Sequence, residues 1–169
     1  MKKILVVTDM QKDFVDGALG SKEAEAIVPT VCEKIRCFDG EVVFTMDTHT
    51  SQYLETQEGQ NLPVPHCIRG TDGWQLDSRV KPLSEGCRIL EKSAFGSVEL
   101  ANLVANGGFD EIEAIGLCTD ICVISNAMLL KAFLPEAPIT VDSACCAGVT
   151  PESHQKALDV MRMCQIRVI

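Results

Sequence analysis

Short apolar runs alternate with amphipathic stretches along most of this 169-residue chain. The apolar runs predict six β-strands, at residues 4–9, 41–47, 88–92, 111–117, 139–145 and 165–169. The amphipathic stretches predict helices at about residues 21–37, 96–106, 120–133 and 151–163. This alternation is typical of a parallel sheet covered by helices on both faces. We therefore expect an α/β fold, a three-layer α/β/α sandwich around a six-stranded parallel sheet, with residues 1–169 forming a single domain.

Local signals mark helix ends and one interruption. Thr150 followed by Pro151 is typical of an N-cap followed by proline at the first helical position. Gly107 and Gly108 are expected to end the helix predicted before them. The polar, proline- and glycine-containing segment 48–84 breaks the alternation. Because long loops inside compact domains usually carry function, we expect this segment to contribute to a site.

Composition narrows the class of protein. The formal net charge of −9 argues against binding to nucleic acid or to an anionic membrane, since both need basic patches. No run approaches the roughly 18 apolar residues of a membrane span. The first residues contain no small-residue cleavage site, so we expect no secretory signal. The nine cysteines are scattered and none has Cys-x-x-Cys spacing. We expect buried, reduced thiols in a cytoplasmic protein, and no four-cysteine zinc site.

Three reactive side chains lie at or just past the ends of separate predicted strands. Asp9 ends the first apolar run, Lys92 ends the third, and Cys122 follows the fourth at the start of a predicted helix. The carboxyl ends of strands in an open parallel sheet converge on one edge, where ligands bind. A carboxylate, an ammonium and a thiol at that edge are the parts of an activated cysteine nucleophile. Each residue alone suits an ordinary structural role, and Cys118 competes as the nucleophile because it lies closer to the strand end.

Elementary chemistry suggests a role for each group. A helix N-terminus stabilises a thiolate at Cys122, and its backbone N–H groups can hold an oxyanion. Asp9 can take the thiol proton and later protonate a leaving amine. The charge of Lys92 would favour the charged forms of both neighbours.

A second group of polar residues lies in and just before the segment 48–84. Asp47 and His49 follow the second strand, and Glu58 and His66 come further along. Asp-x-His spacing puts two ligands on one side of an extended segment. Oxygen and imidazole donors together suit Zn, Fe or Mn. The alternative is a turn in which Asp47 caps backbone N–H groups and the histidines face solvent.

Glu55 is an alternative to Glu58 as the third metal ligand. Two other residues are interpreted as structural. His154, the third histidine, is interpreted as a structural or surface residue of the last helix. Trp74 is expected to pack and hold the segment 48–84 in place.

Five motifs together resemble the isochorismatase-like cysteine hydrolases, and within them the nicotinamidases. They are VTDMQKDF at residues 7–14, DTH at 47–49, PHCIRGT at 65–71, EKSAF at 91–95 and GLCTDICV at 116–123. Each motif alone is weak, but their order along nearly the whole chain is specific. The resemblance implies the same α/β fold and hydrolysis of nicotinamide to nicotinate and ammonia. It also implies a small-molecule amide substrate and a homo-oligomer.

The resemblance implies roles for the residues around the thiol. The nucleophile of the family lies in a Thr-Asp-x-Cys-Val stretch, which makes Cys122 the match. The backbone N–H groups of Cys118 and Cys122 then form the oxyanion hole, beside a cis peptide bond between Leu117 and Cys118. Phe14 matches an aromatic residue that contacts the substrate ring.

The resemblance also implies a divalent metal that binds the pyridine nitrogen, zinc before iron or manganese. Asp47, His49 and His66 match three ligands. Some relatives use a histidine six residues after the first, where this chain has Glu55. Others use a glutamate shortly before the Pro-His motif, which Glu58 fits better, so Glu58 is the expected third ligand.

One departure from the family keeps other functions open. Relatives often carry an aromatic residue three positions before the second metal-binding histidine, and this chain has Pro63 there, preceded by Leu62. A related hydrolase of another small amide, a carbamoyl or ureido compound, is therefore an alternative. Such relatives generally lack the Asp-x-His and Pro-His ligands. A redox or metal-binding protein, suggested by nine cysteines, is disfavoured without a Cys-x-x-Cys pair.

Overall fold

A single parallel sheet organises the protein. The structure, a computed structural model, describes residues 1–169. Its six strands are β1 (Lys3–Thr8), β2 (Glu41–Asp47), β3 (Arg88–Lys92), β4 (Glu111–Leu117), β5 (Ile139–Ala147) and β6 (Arg167–Val168). Every neighbouring pair is parallel, in the order β3-β2-β1-β4-β5-β6. The predicted six-stranded parallel α/β fold is confirmed.

Six α-helices accompany the strands. They are α1 (Lys12–Val15), α2 (Lys22–Cys37), α3 (Gln57–Asn61), α4 (Val98–Gly107), α5 (Ile124–Phe133) and α6 (Pro151–Met163). Side-chain caps begin the long ones, since Ser21 and Ser97 each accept a backbone N–H three residues on. Thr150 and Ser153 form a reciprocal capping box at the start of α6. Gly108 ends α4 in the left-handed conformation, with φ of 65°, as its position predicted.

Three predicted elements differ from the observed ones. The helix predicted at 120–133 starts as a π-helical turn over Thr119–Val123 and becomes α-helical only at Ile124. The last strand covers Arg167–Val168 rather than residues 165–169. Gln165 has a positive φ of 64° and is therefore not in the extended conformation that a strand requires. The segment 48–84 is not one continuous loop, since it contains α3 and two 3₁₀ turns.

The core lies on both sides of the central strands. Ile4, Leu5, Val6 and Val7 of β1 are completely buried, as are Val43 and Phe44 of β2. These continuous apolar runs are what a parallel strand covered on both faces requires. The direction of the crossovers reverses between β1 and β4, which makes the carboxyl ends of these two strands the switch point of the sheet.

No helix combines the length and the apolar character needed to cross a membrane.

Candidate active site and metal centre

Four neighbouring strands bring the predicted site residues to one edge of the sheet. Lys92 is the last residue of β3 and Asp47 the last of β2, and these two residues are register partners. Asp9 directly follows β1 and has a positive φ of 47°. Cys118 directly follows β4. The order of the strands therefore places these residues side by side at the switch point, although they lie far apart in sequence.

The Lys92 ammonium connects the reactive groups. Its Nζ lies 2.7 Å from Asp9 Oδ2 and 3.5 Å from Cys122 Sγ. The same Nζ lies 3.4 Å from Asp47 Oδ1 and donates to the carbonyl of Ala94 at 3.1 Å. The second oxygen of Asp9 accepts a 2.6 Å hydrogen bond from Thr45 Oγ1. Asp9, Lys92 and Cys122 are each at least nine-tenths buried, so water screens these interactions little.

Burial dominates the protonation of these groups. It raises the pKa of Asp9, although the charge of Lys92 opposes the change. Burial also raises the pKa of Cys122 well above its usual range, and the nearby Asp9 carboxylate adds to the effect. The charge of Lys92 lowers the pKa of Cys122, as expected, but burial of the thiol outweighs it. The thiol keeps its proton at neutral pH until a base removes it.

A tight turn presents the thiol. The peptide bond between Leu117 and Cys118 is cis, as the motif predicted. The carbonyl of Cys118 accepts the N–H groups of Ile121 and Val123, which closes the π-helical turn around Cys122. Burial raises the pKa of Cys118 to about 12, so this second thiol stays protonated as well.

One compact cluster, called the metal-type group below, consists of Asp47, His49, Glu58 and His66. One donor atom from each lies within 4.8 Å of the other three. Asp47 Oδ2 lies 2.9 Å from His49 Nε2 and 3.6 Å from His66 Nε2. Glu58 Oε1 lies 3.7 Å from His49 Nε2 and 3.6 Å from His66 Nε2. Glu55 is exposed on the 3₁₀ turn Tyr53–Glu55 and is not part of the group.

The donor atoms of this group fit a divalent cation. His66 Nδ1 donates to the carbonyl of Val64 at 2.8 Å, which leaves the Nε2 lone pair facing the group. The buried Nε2 of His49 has no hydrogen bond of acceptable geometry, although Asp47 is close. Two imidazoles and two carboxylates suit Zn, Fe or Mn. The alternative prediction of solvent-facing histidines is wrong, because both rings are buried.

Residues that the sequence analysis did not single out hold these groups in place. Gln11 is completely buried and clamps the backbone of Asp47, with its Nε2 2.8 Å from the carbonyl and its Oε1 2.7 Å from the N–H. The ring of Tyr53 packs edge-on against both His49 and His66, with centroids 4.8 and 5.0 Å apart. The spacing of Gln11 from Asp9, two residues on, is the only sequence signal that could have indicated its role.

The thiol and the metal-type group face one cavity of about 560 Å³. Its walls include both cysteines of the turn and three of the four metal-type residues, Cys118, Cys122, Asp47, Glu58 and His66. Apolar side chains line the rest, among them Phe14, which packs edge-on against His66 with centroids 5.4 Å apart. A small molecule in this cavity can touch the nucleophile and the candidate metal position at the same time.

A family model described as the isochorismatase domain matches residues 3–169. The chain belongs to the isochorismatase family. It is 33% identical over 174 residues to a Bacillus subtilis protein described as the uncharacterized isochorismatase family protein PncA, covering 94% of this chain and 93% of that one.

Two solved structures share the fold along their whole length. The nicotinamidase/pyrazinamidase PncA from Bacillus subtilis superposes with a TM-score of 0.87 at 29% identity, covering 99% of both chains. The pyrazinamidase of Pyrococcus horikoshii in complex with zinc superposes with a TM-score of 0.85 at 28% identity, covering 100% of this chain and 99% of the other.

Two further residues of this isochorismatase-family chain have definite positions. Trp74 donates from Nε1 to Thr48 Oγ1 at 2.9 Å, and its carbonyl accepts from Gln11, so it ties the segment 48–84 to the first strand end as expected. His154 is half-buried and makes a hydrogen bond to Thr119. All nine cysteines are free, and none forms a disulfide.

Proposed function

We propose that this protein hydrolyses nicotinamide to nicotinate and ammonia through a thioester on Cys122. The observation that carries the proposal is the position of the Lys92 ammonium. It lies within 3.5 Å of the thiol, of the Asp9 carboxylate and of Asp47 in the metal-type group. A cysteine hydrolase that holds a ring nitrogen through a metal needs these three groups together. The names of the two structural relatives, both pyrazinamidases, support an aromatic amide as substrate.

Acylation begins with proton transfer from Cys122 to Asp9. The raised pKa of Asp9 makes its carboxylate a better base than an ordinary aspartate. The thiolate attacks the carboxamide carbon, and the electron pair of the C=O bond moves to the oxygen. The backbone N–H groups of Cys118 and Cys122 receive that oxyanion. Asp9 returns its proton to the amine as the C–N bond breaks, and ammonia leaves.

Deacylation repeats the sequence with water. Asp9 takes a proton from the water molecule as its oxygen attacks the thioester carbon. Collapse of the second tetrahedral intermediate breaks the C–S bond and releases nicotinic acid, which loses its proton to solvent to become nicotinate, while Asp9 returns its own proton to Cys122. Lys92 stays charged throughout, because burial is outweighed by the neighbouring Asp9, Cys122 and Asp47, which raise its pKa. Its role is to orient Asp9 and to balance the charge of the thiolate.

The residues Asp47, His49, Glu58 and His66 would hold a divalent metal. The donor set suits zinc, iron or manganese, and the zinc complex of the Pyrococcus horikoshii relative favours zinc. When bound, such an ion supplies a Lewis-acid contact for the ring nitrogen of the substrate. Glu58 is the third ligand of choice, since its carboxylate faces both histidines. Phe14 would contact the substrate ring from the cavity wall.

The direct test is ammonia release from nicotinamide by the purified, metal-loaded protein. We expect release by the wild type, none by Cys122→Ala, and undiminished release by Cys37→Ala, which removes an exposed thiol outside the site. Folded wild-type protein that releases no ammonia would contradict the proposal.

A different small amide is the second candidate substrate. The feature that favours it is Leu62, which lines the cavity near the position where relatives often carry an aromatic residue. If nicotinamide fails, a panel of carbamoyl and ureido compounds distinguishes this candidate from the first.

Three broader features belong to the same proposal. A single sheet supports one domain over residues 1–169. Nine free thiols support a cytoplasmic location. A homo-oligomer rests on the family resemblance alone, and sedimentation equilibrium would test it.

A further inference from the structure

The third histidine reaches the turn that carries the nucleophile. His154 lies in the first turns of α6, and its Nδ1 is 2.7 Å from Thr119 Oγ1. Thr119 is completely buried, and its hydroxyl makes no other hydrogen bond. Burial lowers the pKa of His154, although the carboxylate of Asp120 opposes the change. The imidazole is therefore neutral at neutral pH and able to share one proton with the hydroxyl.

A second contact fastens the same two segments at the next residue. The carboxylate of Asp120 accepts the backbone N–H of Val149, at 3.2 Å from Oδ1 and 3.1 Å from Oδ2. Gly148 packs so tightly on His154 that a Cβ would lie 2.8 Å from the nearest atom of that residue. The start of α6 is thus held closely against the turn at 119–120.

The position of Thr119 matters because of its neighbours. It directly follows Cys118, whose backbone N–H is assigned above to the oxyanion hole. It also opens the π-helical turn that contains Cys122. Any shift of Thr119 therefore moves an oxyanion donor relative to the nucleophile.

We propose that His154 is a positioning residue, which holds Thr119 through Nδ1 and so keeps the Cys118 N–H aligned with the Cys122 thiol. It touches neither the substrate cavity nor the reacting atoms. The inference rests on the proposed function for its kinetic readout. It predicts a loss in the chemical step rather than in substrate binding, since the cavity walls and the metal-type group stay in place.

Substitutions at position 154 separate the Nδ1 contact from general packing. His154→Asn places an amide atom close to the position of Nδ1 and keeps the hydrogen bond to Thr119. His154→Gln places its amide nearer the position of Nε2, and His154→Ala removes both. We expect Ala and Gln to lower kcat about 10- to 100-fold with KM within about twofold of wild type, because small misplacements of reacting groups cost this much. Asn should restore kcat to within about threefold.

The partner residue gives an independent pair. Thr119→Val removes the hydroxyl at nearly constant shape, whereas Thr119→Ser keeps it. We expect Val to match the loss in His154→Ala and Ser to stay close to wild type. The double variant His154→Ala/Thr119→Val should lose no more kcat than either single variant, because both substitutions remove the same hydrogen bond. This pair also serves if a variant at position 154 fails to fold.

A matched control separates positioning from stability. Ser153→Ala removes the hydroxyl that accepts the Thr150 N–H in the capping box, which lowers the stability of α6 but leaves the hydrogen bond between His154 and Thr119 in place. We expect a lower Tm with unchanged kcat. A loss of kcat in this control as large as in His154→Ala would overturn the proposal, and so would His154→Ala with wild-type kcat or rescue by Gln rather than Asn.

A second substrate keeps the inference separable from the proposed function. p-Nitrophenyl acetate reports acylation of the thiol without requiring an amide substrate, after subtraction of the rate in the matching Cys122→Ala protein. The ester rates should follow the same order, with wild type and Asn above Gln and Ala. Absence of ammonia release by the wild type would refute the proposed function, and the ester rates alone would then decide the role of His154. Equal ester rates in all four proteins would overturn it.

Discussion

Lys92 Nζ lies 2.7 Å from Asp9 Oδ2, with the lysine side chain 2% exposed and the aspartate side chain completely buried. The two residues come from the ends of β3 and β1, which β2 separates in the sheet. Because the ammonium also faces Asp47 at 3.4 Å, it is the cation that balances two buried carboxylates. The pair is therefore as important for folding as for the chemistry proposed above.

Lys92→Met is expected to destabilise the protein by about 3–5 kcal/mol, because it leaves two buried carboxylates without their cation. Urea unfolding at neutral pH measures the change. Lys156→Met is the matched control, since that side chain is 73% exposed and pairs with Glu152 on the surface. Its effect should stay below about 0.5 kcal/mol. Equal effects of the two substitutions would contradict this account of Lys92.

Cys118→Ala is expected to keep most of the activity, within about tenfold of wild type, because Cys118 contributes its backbone N–H rather than its thiol. Cys122→Ala should lose at least about 10⁴-fold in kcat, as expected when a covalent nucleophile is removed. Mass spectrometry of rapidly quenched reactions should find the acyl group on Cys122. An acyl group on Cys118, or the reverse pattern of losses, would exchange the roles of the two thiols.

The metal-type group predicts one divalent ion per chain. Elemental analysis after gel filtration should find that ion in the wild type, and much less of it in His66→Ala and Glu58→Ala. Glu55→Gln should retain the full content, because Glu55 is exposed and lies outside the group. Removal of the ion by a chelator should abolish ammonia release, and added zinc should restore it. A metal content that depends on Glu55 and not on Glu58 would show that the third ligand is wrongly assigned.

Leu62→Trp is expected to lower the KM for nicotinamide about fivefold with little change in kcat. Leu62 lines the cavity, and an aromatic ring there can stack on the substrate ring, which contributes about 1 kcal/mol. Leu54→Trp is the control, because that leucine is 53% exposed and lies outside the cavity wall. Steady-state kinetics on both variants decides the matter, and an unchanged KM in Leu62→Trp would show that the ring does not lie against this wall.

A partly buried charge cluster outside the site gives a prediction about stability and pH. Lys34 of α2 lies 2.7 Å from both Glu113 of β4 and Asp142 of β5. Burial opposes the charge of Lys34, but hydrogen bonds to Asp142 and Glu113 outweigh it and raise its pKa. The folded state therefore holds this proton more tightly than the unfolded chain. The stabilisation is complete below about pH 10.4, the ordinary lysine pKa, and is lost as the pH rises through the folded-state value.

Lys34→Met should accordingly cost about 2 kcal/mol at pH 7. The difference from wild type should stay level up to about pH 9.5 and shrink above about pH 10.4. Urea titrations at several pH values measure it. Lys22→Met, with a side chain 91% exposed, should change the stability by less than about 0.5 kcal/mol at every pH. A difference that grows with pH would contradict the sign of the shift.

The sequence predicted the parallel sheet because strands buried on both faces must be continuously apolar, as in the run from Ile4 to Val7. It predicted which side chains meet because the carboxyl ends of parallel strands share an edge. These two rules together predict that Asp9, Lys92 and Cys122 lie at one edge of the sheet.

Other features lay beyond sequence patterns for physical reasons. A π-helical turn and an α-helix present the same apolar spacing over one turn. The sequence pattern therefore does not distinguish a π-helical start at Thr119 from an α-helical one. The supporting roles of Gln11 and Tyr53 depend on contacts between distant segments. The raised pKa of the Cys122 thiol depends on its burial, which the helix-start pattern does not reveal. His154 has an ordinary helix-surface pattern, and only its distance to Thr119 distinguishes it.

The sharing of Lys92 between Asp9 and Asp47 also limits how the chain can evolve. A substitution that removes either carboxylate leaves the ammonium with one fewer counter-charge. A change at Asp47 in the metal-type group therefore alters the charge balance beside the thiol, and a change at Asp9 alters it beside the metal-type group. Paired substitutions at positions 9 and 47 should therefore combine non-additively. A lineage that loses the metal site, and Asp47 with it, would have to replace the carboxylate that Asp47 presents to Lys92. Evolutionary changes at the metal site are therefore tied to changes at the thiol site.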